Sequence, residues 1–431
     1  MPATVVIGGQ WGDEGKGRVV DLLARGATVV ARYSAGNNAG HTIINERGLF
    51  ALHVVPAGIF YEDKTCVIGN GVVIDPAVLL AEIESLRSRG VSTERLKVSD
   101  RAHVIMPWHP LIDRADEAMR GPLAIGTTGR GVGPAFTDKV GRSGIRMADL
   151  LDAVSFPERL RRVLDYKNEV LEKLYGIPPL DFDTIHTQYR EFGERLAPYV
   201  TDTSILVQAA LDRGEQVLLE GAQGALLDVD FGTYEYVTSS VPSSSAAGAA
   251  LGVGIGPNEI NRVVGIYKAY NTRVGNGPMP TELLDEVGER LRNTGERPEY
   301  GTTTGRPRRC GWFDAVAARY TARLNGVTNA VVTRLDVLDA FPTIEICTAY
   351  QADGAVLDGF PASARVLARA TPVNEEHAGW QTPTSEARRW EDLPVQAQAF
   401  VRRIEDLLGA PVDLVSVGPE RDQAIQVRPI F

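Results

Sequence analysis

Residues 3–18, ATVVIGGQWGDEGKGR, join a short apolar run to a glycine-rich loop. The run has the length and composition of a buried strand, and the residues after the loop follow a helical pattern. Backbone amides of residues 12–18 could surround a phosphate group, and the ammonium of Lys16 could neutralise it. The loop departs from the common phosphate-binding pattern because Gly17 replaces the metal-binding serine or threonine. A carboxylate would then have to hold a metal ion, and Asp13 is the candidate, unless the loop is an ordinary strand–helix turn with surface charges.

Strand and helix patterns continue to alternate along the chain. HTIIN and GLFALHVV flank a turn at residues 46–48, which predicts a hairpin and hence a mixed sheet. Asp75 and Pro76 open an apolar-periodic stretch that ends at Gly90, as expected of a capped helix. Further strands are predicted at QVLLEG, VVGIYKAY, NAVVTRLDVL and VDLVSVG, and a helix is predicted over residues 311–325.

These elements predict an α/β fold with a P-loop-NTPase-like central sheet, mixed but mostly parallel, flanked by helices. Residues from about 106 to 214 have a largely helical and charged pattern, which a glycine-rich stretch at residues 126–146 interrupts. We interpret this region as a mainly helical insertion. Because no low-complexity tract or clear linker divides the chain, residues 1–431 are predicted to form a single large domain.

Composition argues against several classes of protein. The 431 residues are 44% apolar, which is enough for a large core. The formal charge is −10 and no long lysine or arginine run occurs, so neither a nucleic-acid partner nor a membrane surface is expected. No stretch approaches the length of a membrane span, and the N-terminus lacks the features of a secretory leader. Cys66, Cys310 and Cys347 are widely spaced, which favours a reducing cytoplasm over a disulfide framework or a zinc site.

A second polar loop, residues 36–42 with the sequence GNNAGHT, follows the next predicted strand. Its two amides and its imidazole suit the recognition of polar ligand atoms. Asp13 and His41 both lie in loops after successive strands, where open α/β sheets bind ligands. A carboxylate and an imidazole at one ligand could act as base and acid, although an isolated histidine is more often a structural residue.

Seven segments together resemble one enzyme family. QWGDEGKG, NNAGHT, GTTGRGVGPAFTDKVGRSGIR, EGAQGALLDVDFGTY, YKAYNTRVGNGP, TTTGRPRRCGWFDA and RLDVLD are similar, in this order, to successive signature segments of the adenylosuccinate synthetases. The resemblance implies a GTP- and Mg²⁺-dependent ligase of purine biosynthesis that joins L-aspartate to inosine monophosphate (IMP) through a 6-phosphoryl-IMP intermediate. It also implies a homodimer.

The resemblance implies a role in the reaction for four residues. Asp13 would remove the proton from N1 of the hypoxanthine ring and would also bind magnesium. His41 would be its acid partner, and Lys16 would contact the GTP phosphates. Gly40 would lend its carbonyl oxygen to magnesium.

The resemblance further implies a set of binding residues for each substrate. For GTP, they are Gly12, Asp13, Glu14, Gly15, Lys16, Gly17, Arg18, Gly40, His41, Thr42, Arg308, Arg334, Leu335, Asp336, Ser416, Val417 and Gly418. For IMP, they are Asp13, Glu14, Gly15, Lys16, Asn38, Ala39, Gly40, His41, Thr128, Arg142, Gln223, Thr238 and Arg306, with Arg142 supplied by the partner subunit. For aspartate, they are Thr302, Thr303, Thr304, Gly305, Arg306, Pro307 and Arg308.

Three of these residues have an ordinary structural alternative. Asp336 belongs to the segment TRLD after a predicted strand, and this segment is similar to the guanine-reading element of GTP-binding proteins. Its carboxylate could accept hydrogen bonds from N1 and from the exocyclic amine of guanine. A strand-end aspartate, however, also commonly caps a helix. Without the resemblance, Arg142 would be a surface arginine and Gln223 a turn residue.

Departures from the family pattern leave other functions open. Arg18, Ala35, Asn276 and Arg334 differ from the usual residues, and the serine-rich stretch 239–257 is longer than usual near the nucleotide. A paralogue acting on a modified 6-oxopurine nucleotide is therefore an alternative, although Asp13 disfavours the variant that makes a diaminopurine nucleotide. A regulatory GTPase would explain only the phosphate loop and TRLD, and a purely structural role would explain neither.

Overall fold

A sheet of ten strands lies at the centre of the part of the chain described by the computed structural model, which comprises residues 3–240, 245–301 and 305–430. The strands of the described residues, in this sheet and in four smaller sheets, are β1 Ala3–Gly8, β2 Val29–Arg32, β3 His41–Asn45, β4 Gly48–Leu52, β5 Thr65–Ile68, β6 Val73–Ile74, β7 Leu96–Ser99, β8 His103–Val104, β9 Val200–Thr201, β10 Val217–Gly224, β11 Ile260–Lys268, β12 Asn271–Arg273, β13 Arg309–Gly311, β14 Phe313–Asp314, β15 Asn329–Thr333, β16 Thr343–Ala352, β17 Ala355–Val356, β18 Thr371–Ala378, β19 Val412–Ser416 and β20 Ala424–Gln426. The α-helices are α1 Lys16–Ala24, α2 Pro76–Ser88, α3 Trp108–Arg120, α4 Val132–Val140, α5 Met147–Leu151, α6 Ser155–Tyr175, α7 Phe182–Leu196, α8 Thr203–Asp212, α9 Ala246–Val253, α10 Glu286–Asn293, α11 Ala315–Asn325, α12 Ala364–Leu367 and α13 Val395–Leu408.

The central sheet has the order β20-β19-β15-β11-β1-β10-β2-β5-β7-β9. Its neighbouring strands are parallel except for β19 and β20, which are antiparallel. The prediction of a mixed, mostly parallel sheet is confirmed, but the antiparallel strand is not part of the predicted hairpin. The predicted hairpin, β3 and β4, forms a separate two-stranded sheet, and the antiparallel strand is β20 at the edge.

Strand β1 lies between β10 and β11, and its side chains are buried on both faces of the sheet. Val6 belongs to the core on one face, whereas Val5 and Ile7 belong to the core on the other. A parallel sheet covered on both faces requires an unbroken apolar run, which is the pattern of residues 3–7. The phosphate loop therefore begins at the carboxyl edge in the middle of the sheet.

The helix predicted over residues 311–325 begins only at Ala315, because strands β13 and β14 precede it and the Asp314 side chain caps its first turn, whereas α2 follows its local signals closely. Helix α2 begins at Pro76, and the Asp75 side chain accepts hydrogen bonds from the amides of Ala77 and Val78. The predicted strand NAVVTRLDVL instead ends at Thr333, because Arg334 has a left-handed backbone with φ 63° and a 3₁₀ helix, Leu335–Ala340, follows.

Helices α3 to α7 occupy most of residues 108–196, and their assignment to a separate insertion stays a prediction. Among the described residues, no helix has the length and apolar composition needed to span a membrane.

The part of the unusual stretch 239–257 that forms a helix has a packing explanation. Residues 241–244 lie outside the described ranges, and residues 246–253 form α9 against the central sheet. A Cβ atom at Gly252 would lie 2.1 Å from the carbonyl oxygen of Tyr33. The small residues of α9 therefore allow this helix to lie directly on the strand ends.

Candidate active site

A cavity of about 590 Å³ opens at the carboxyl edge of the central sheet. It is bordered by loops that follow β1, β2, β10, β15 and β19, together with loops from the helical region. The predicted site residues that line it are Gly12, Asp13, Gly15, Lys16, Gly17, Arg18, Asn38, Ala39, Gly40, His41, Thr42, Thr128, Gln223, Thr238, Arg308, Arg334, Ser416 and Gly418. The fold thus brings residues from both ends of the chain to one cavity.

The remaining predicted residues do not line this cavity, and Asp336, which is half-buried, is one of them. Glu14, Leu335 and Val417 are fully buried behind the cavity wall. Gly305, Arg306 and Pro307 are exposed, and Thr302, Thr303 and Thr304 lie outside the described residues. Arg142 is exposed and lines a second, separate cavity together with His103, Lys139, Gly144, Arg146, Asp149 and Arg159.

The phosphate loop folds around an internal carboxylate. Glu14 accepts hydrogen bonds from the amides of Gln10 at 3.0 Å and Gly12 at 2.8 Å, and from Lys16 Nζ at 2.6 Å. Two of the groups expected to contact phosphate, the Gly12 amide and the Lys16 ammonium, are therefore engaged by Glu14 in this structure. Their contact with GTP stays a prediction.

Glycine at position 17 lets His41 approach the start of α1. A Cβ atom at Gly17 would lie 2.7 Å from the His41 Cβ, which is closer than neighbouring carbon atoms can pack. The serine or threonine of the common phosphate loop cannot be accommodated here for this reason. The close approach of His41 to position 17 therefore places an imidazole at this point of the loop and excludes a side-chain hydroxyl.

His41 is oriented by Glu220, a residue that the sequence analysis did not identify. The His41 Nδ1 and Glu220 Oε1 atoms are 2.6 Å apart, and both side chains are buried. Burial alone would raise the pKa of Glu220, but His41 and Arg32 lower it below its ordinary value, so the group is an acceptor and Nδ1 carries the proton. Burial and Arg32 lower the pKa of His41, whereas Glu220 opposes this shift. The Nε2 atom is buried without a partner among the described residues and is available to a ligand.

Asp13 belongs to a larger ionic cluster. Its Oδ2 atom accepts a hydrogen bond from Arg308 Nε at 2.7 Å, and the opposite side of the same guanidinium donates from Nη1 to Glu299 at 2.5 Å. Lys268 Nζ lies 3.1 Å from Glu299. Burial by itself raises the pKa of Glu299, but Lys268, Arg334 and Arg308 lower it well below its ordinary value. Glu299 is therefore an ionised carboxylate in the cavity wall.

The predicted guanine-binding segments border the cavity through Arg334, Ser416 and Gly418. Arg18 donates hydrogen bonds to Ser416 Oγ and to the Gly418 carbonyl oxygen. The Asp336 Oδ1 atom is buried and has no hydrogen-bond partner among the described residues. Asp336 does not cap the 3₁₀ helix through its side chain, since that helix has no side-chain cap. An unpaired buried acceptor is what a ligand with N–H donors would satisfy.

The loop that carries Thr128 is held by two carboxylates of α3. Asp113 accepts from the Thr127 hydroxyl at 2.9 Å and from the Gly131 amide at 2.8 Å. Glu117 accepts from the amides of residues 125–127. Across the cavity, the Oδ1 atom of Asn38 is buried without a partner among the described residues.

The donor atoms in the cavity fit a magnesium ion shared with a nucleotide. Asp13 and Gly40 both line the cavity and offer a carboxylate and a carbonyl oxygen, which are the hard ligands that Mg²⁺ prefers. Within the described ranges, no group of three or more His, Cys, Asp or Glu side chains could hold a metal by itself. Magnesium usually takes one or two protein oxygens and completes its shell with substrate phosphates and water.

Sequence reasoning missed Glu220, Lys268 and Glu299, although a signal for two of them was present. Glu220 lies within β10 directly after the apolar run VLL, and Lys268 is the last residue of β11 after the run VVGIY. Charged side chains are almost never fully buried unless they are paired, so such positions indicate a partner. The partner itself cannot be identified from the strand.

Comparisons with known proteins agree on one family. The family model for adenylosuccinate synthetase matches residues 5–425. Over the full length of both chains, the protein is 52% identical to an adenylosuccinate synthetase from Heliobacterium modesticaldum and 53% identical to one from Carboxydothermus hydrogenoformans. The structure of a fully ligated adenylosuccinate synthetase from Plasmodium falciparum superimposes with a TM-score of 0.93 at 36% identity, covering 99% of this chain and 100% of the other.

A more distant match is the structure of a succinoaminodeoxyadenylate synthetase from cyanophage S-2L bound to dGMP and dATP. It has a TM-score of 0.60 at 23% identity, and the match covers 99% of this chain and 96% of the other. At this identity the match shows a shared fold only. The family model and the full-length relatives, together with the cavity at the carboxyl edge of the sheet, decide the assignment. The chain belongs to the adenylosuccinate synthetase family.

Proposed function

We propose that the 590 Å³ cavity is the site of the family's reaction, in which GTP and Mg²⁺ support the ligation of L-aspartate to IMP. One observation carries this proposal. Asp13, Lys16 and His41 lie on the wall of a single cavity with Arg334 and Ser416 from the guanine-binding segments. The chain is a C–N bond-forming ligase by family, and the alternative of a regulatory GTPase is not supported.

In the first step, Asp13 accepts the proton from N1 of IMP. The negative charge that develops on O6 makes this oxygen the nucleophile for the γ-phosphorus of GTP, and the bond to the β–γ bridging oxygen breaks to give GDP and 6-phosphoryl-IMP. Lys16 and the Nε2 side of His41 stabilise charge on the transferred group. Asp13 and Gly40 would hold magnesium, which supplies neutralisation of phosphate charge when it is bound.

In the second step, the unprotonated amino nitrogen of aspartate forms a bond to C6 and the C6–O bond breaks, so that phosphate leaves, the nitrogen releases one proton to solvent and adenylosuccinate forms. The loop of residues 302–308 is proposed to bind the carboxylates of aspartate. Arg308 supports this assignment, because its planar guanidinium already pairs with the carboxylate of Asp13 in the cavity.

We also propose a cytoplasmic homodimer in which Arg142 reaches the IMP site of the partner subunit. Arg142 lies outside the main cavity of its own chain and is exposed beside the cations Lys139, Arg146 and Arg159. This group of positively charged side chains suits contact with the phosphate group of a nucleotide bound in the partner subunit. The three buried, free cysteines support a reducing compartment.

The test of the proposed function is replacement of Asp13 by asparagine. This change retains the size of the side chain but removes the base, so we expect kcat to fall by about 10²-fold or more, the usual contribution of a general base. Steady-state formation of adenylosuccinate from IMP, GTP and aspartate is the measurement. Asp63→Asn, which changes an exposed carboxylate paired with Lys64, is the control and should leave kcat unchanged. Wild-type activity in Asp13→Asn would exclude Asp13 as the base.

A further inference from the structure

Glu299 is a buried carboxylate that accepts from three donors and lies near a fourth cationic group. Its Oε1 atom accepts from Lys268 Nζ and from the Tyr270 hydroxyl, and its Oε2 atom accepts from Arg308. Arg334 Nη2 lies 3.6 Å from Oε1. Glu299 is 1% exposed, so the charges of this cluster are compensated within the protein rather than by bulk water.

Two of these partners, Arg308 and Arg334, belong to different parts of the proposed site. Arg308 connects Glu299 with Asp13, the proposed base. Arg334 is two residues before Asp336, the proposed guanine acceptor, and its guanidinium also donates to the carbonyl of Arg297. A single carboxylate therefore contacts both the catalytic side and the guanine side of the cavity.

The geometry at Arg308 shows what the carboxylate does there. Nε of the guanidinium faces Asp13 and Nη1 faces Glu299, so two carboxylates hold two different edges of one rigid plane. If only Asp13 held it, the plane could rotate about that contact and follow the substrate. With both contacts in place, the position of Arg308 relative to Asp13 is fixed before substrates bind.

We propose that Glu299 is a positioning residue for the ligation reaction, which holds Arg308 against Asp13 and ties this pair to the guanine-binding Arg334. The inference rests on the proposed role of Asp13 and adds a residue to that site. Glu299 itself lies behind Arg308 and acts through it. A displacement of about 1 Å in a catalytic constellation can cost about 10²-fold in rate, which is the scale of effect to be expected.

The first experiment replaces Glu299 by glutamine, which keeps the shape and removes the charge. We expect kcat to fall by about 10-fold to 10²-fold, while KM for IMP changes by less than about threefold because Asn38 and Gln223 are not in the cluster. A purely structural role would lower the melting temperature and leave kcat of the folded fraction unchanged. That result, or a kcat within about threefold of wild type, would overturn the proposal.

A matched control is provided by the next arginine in the chain. Glu282 accepts a hydrogen bond from Arg309 Nε at 2.7 Å, and Arg309 also donates to the carbonyl oxygens of Gly275 and Gly277. This pair does not reach Asp13. Glu282→Gln should therefore leave kcat within about twofold of wild type, whereas an equal loss in both variants would show that any change of a glutamate–arginine pair slows the enzyme.

The second experiment asks whether Glu299 acts through Arg308. In an Arg308→Ala background, Glu299→Gln should lower kcat by no more than about threefold, because the residue that it positions is already gone. A loss as large as in the wild-type background would overturn the proposed pathway. Adenylosuccinate formation by the wild type in the same assay separates this inference from the proposed function. An inactive wild type would contradict the proposed function. An active wild type together with an unaffected Glu299→Gln variant would contradict only the role of Glu299.

A folding failure would not end the test. Should Glu299→Gln fail to give folded protein by circular dichroism, Glu299→Asp keeps the charge but shortens the side chain by one methylene, so that it cannot reach Lys268 and Arg308 together. Lower kcat at unchanged KM for IMP would support positioning by Glu299. Unchanged kcat would overturn it.

Discussion

Asp336 combines a buried, unpaired acceptor atom with a position beside the guanine-binding segments. Burial raises the pKa of its carboxyl group, while the nearby Arg334 and Arg18 act in the opposite direction. Both cations lie at the same end of the cavity, where Arg18 contacts the loop after β19. A carboxylate in this position can pair with the two N–H donors on the edge of guanine, and adenine lacks that pair of donors.

Asp336→Asn should weaken the use of GTP and improve that of xanthosine triphosphate, whose ring presents an acceptor at C2. Leaving a buried donor or acceptor unpaired costs about 1–3 kcal/mol, which corresponds to a rise in KM for GTP of about 5-fold to 150-fold. Steady-state rates with GTP, ATP and xanthosine triphosphate provide the measurement. Asp339→Asn is the matched control, because Asp339 lies in the same 3₁₀ helix but bonds Trp380 and Thr384. An unchanged preference in Asp336→Asn would show that Asp336 does not read the base.

His103 is a second residue whose surroundings have a measurable consequence. Burial, followed by the charges of Lys139, Arg146 and Arg159, lowers its pKa to about 3. The unfolded chain should titrate near the ordinary histidine value of about 6.5 and therefore binds more protons than the folded protein between these two values. The stabilising contribution of neutral His103 is thus present above about pH 6.5 and is lost as the pH falls toward 3.

Urea unfolding of wild type and His103→Gln at fixed protein concentration tests this expectation. Below about pH 6.5, the unfolding free energy of the wild type should fall faster than that of His103→Gln. The difference between the two proteins should change by about 1.4 kcal/mol per pH unit. The difference should stay constant above that pH. A constant difference down to pH 5.5 would contradict the assignment.

At the scale of elements, α3 acts as a support for the loop of residues 125–131. Asp113 and Glu117 lie one helical turn apart and hold the loop through its amides and the Thr127 hydroxyl. Thr128, a proposed IMP contact, lies between these anchors and lines the cavity. The order of this loop should therefore affect IMP more than GTP.

Glu117→Ala removes the acceptor of three loop amides. We expect KM for IMP to rise by about 10-fold or more, with kcat and KM for GTP changed by less than about threefold, because the cost falls on ordering the loop when IMP binds. Asp116→Ala is the control on the same helix, since Asp116 accepts from the Tyr175 hydroxyl and not from the loop. Equal KM values for IMP in Glu117→Ala and wild type would show that the loop is ordered by other contacts.

At the scale of the whole molecule, the proposed dimer can be tested by mixing inactive variants. Arg142→Leu and Asp13→Ala should each be inactive alone, but one of the two sites in a mixed dimer contains both intact residues. Random exchange in a two-fold dimer would restore about a quarter of the sites. Activity after mixing is the measurement, and native mass spectrometry confirms exchange. Confirmed mixed dimers without activity would place Arg142 in its own subunit's chemistry or outside catalysis.

The sequence determined the features that depend on neighbouring residues. The apolar run of β1, the glycine-rich loop after it and the start of α1 follow from composition and periodicity within 20 positions. The cap at Asp75 follows from the same kind of local hydrogen bonding. Asp13 and His41 both line the cavity, as loops at the aligned carboxyl ends of parallel strands can, and their roles in the reaction stay predictions.

Tertiary structure alone decided which charges are paired. His41 meets Glu220 across 179 positions of sequence, and Asp13 meets Arg308 across 295. Whether Gly17 or a larger residue fits depends on His41, the first residue of β3. Buried ionic contacts are set by the three-dimensional approach of distant segments and by the exclusion of water from them, and neither quantity is encoded in local periodicity.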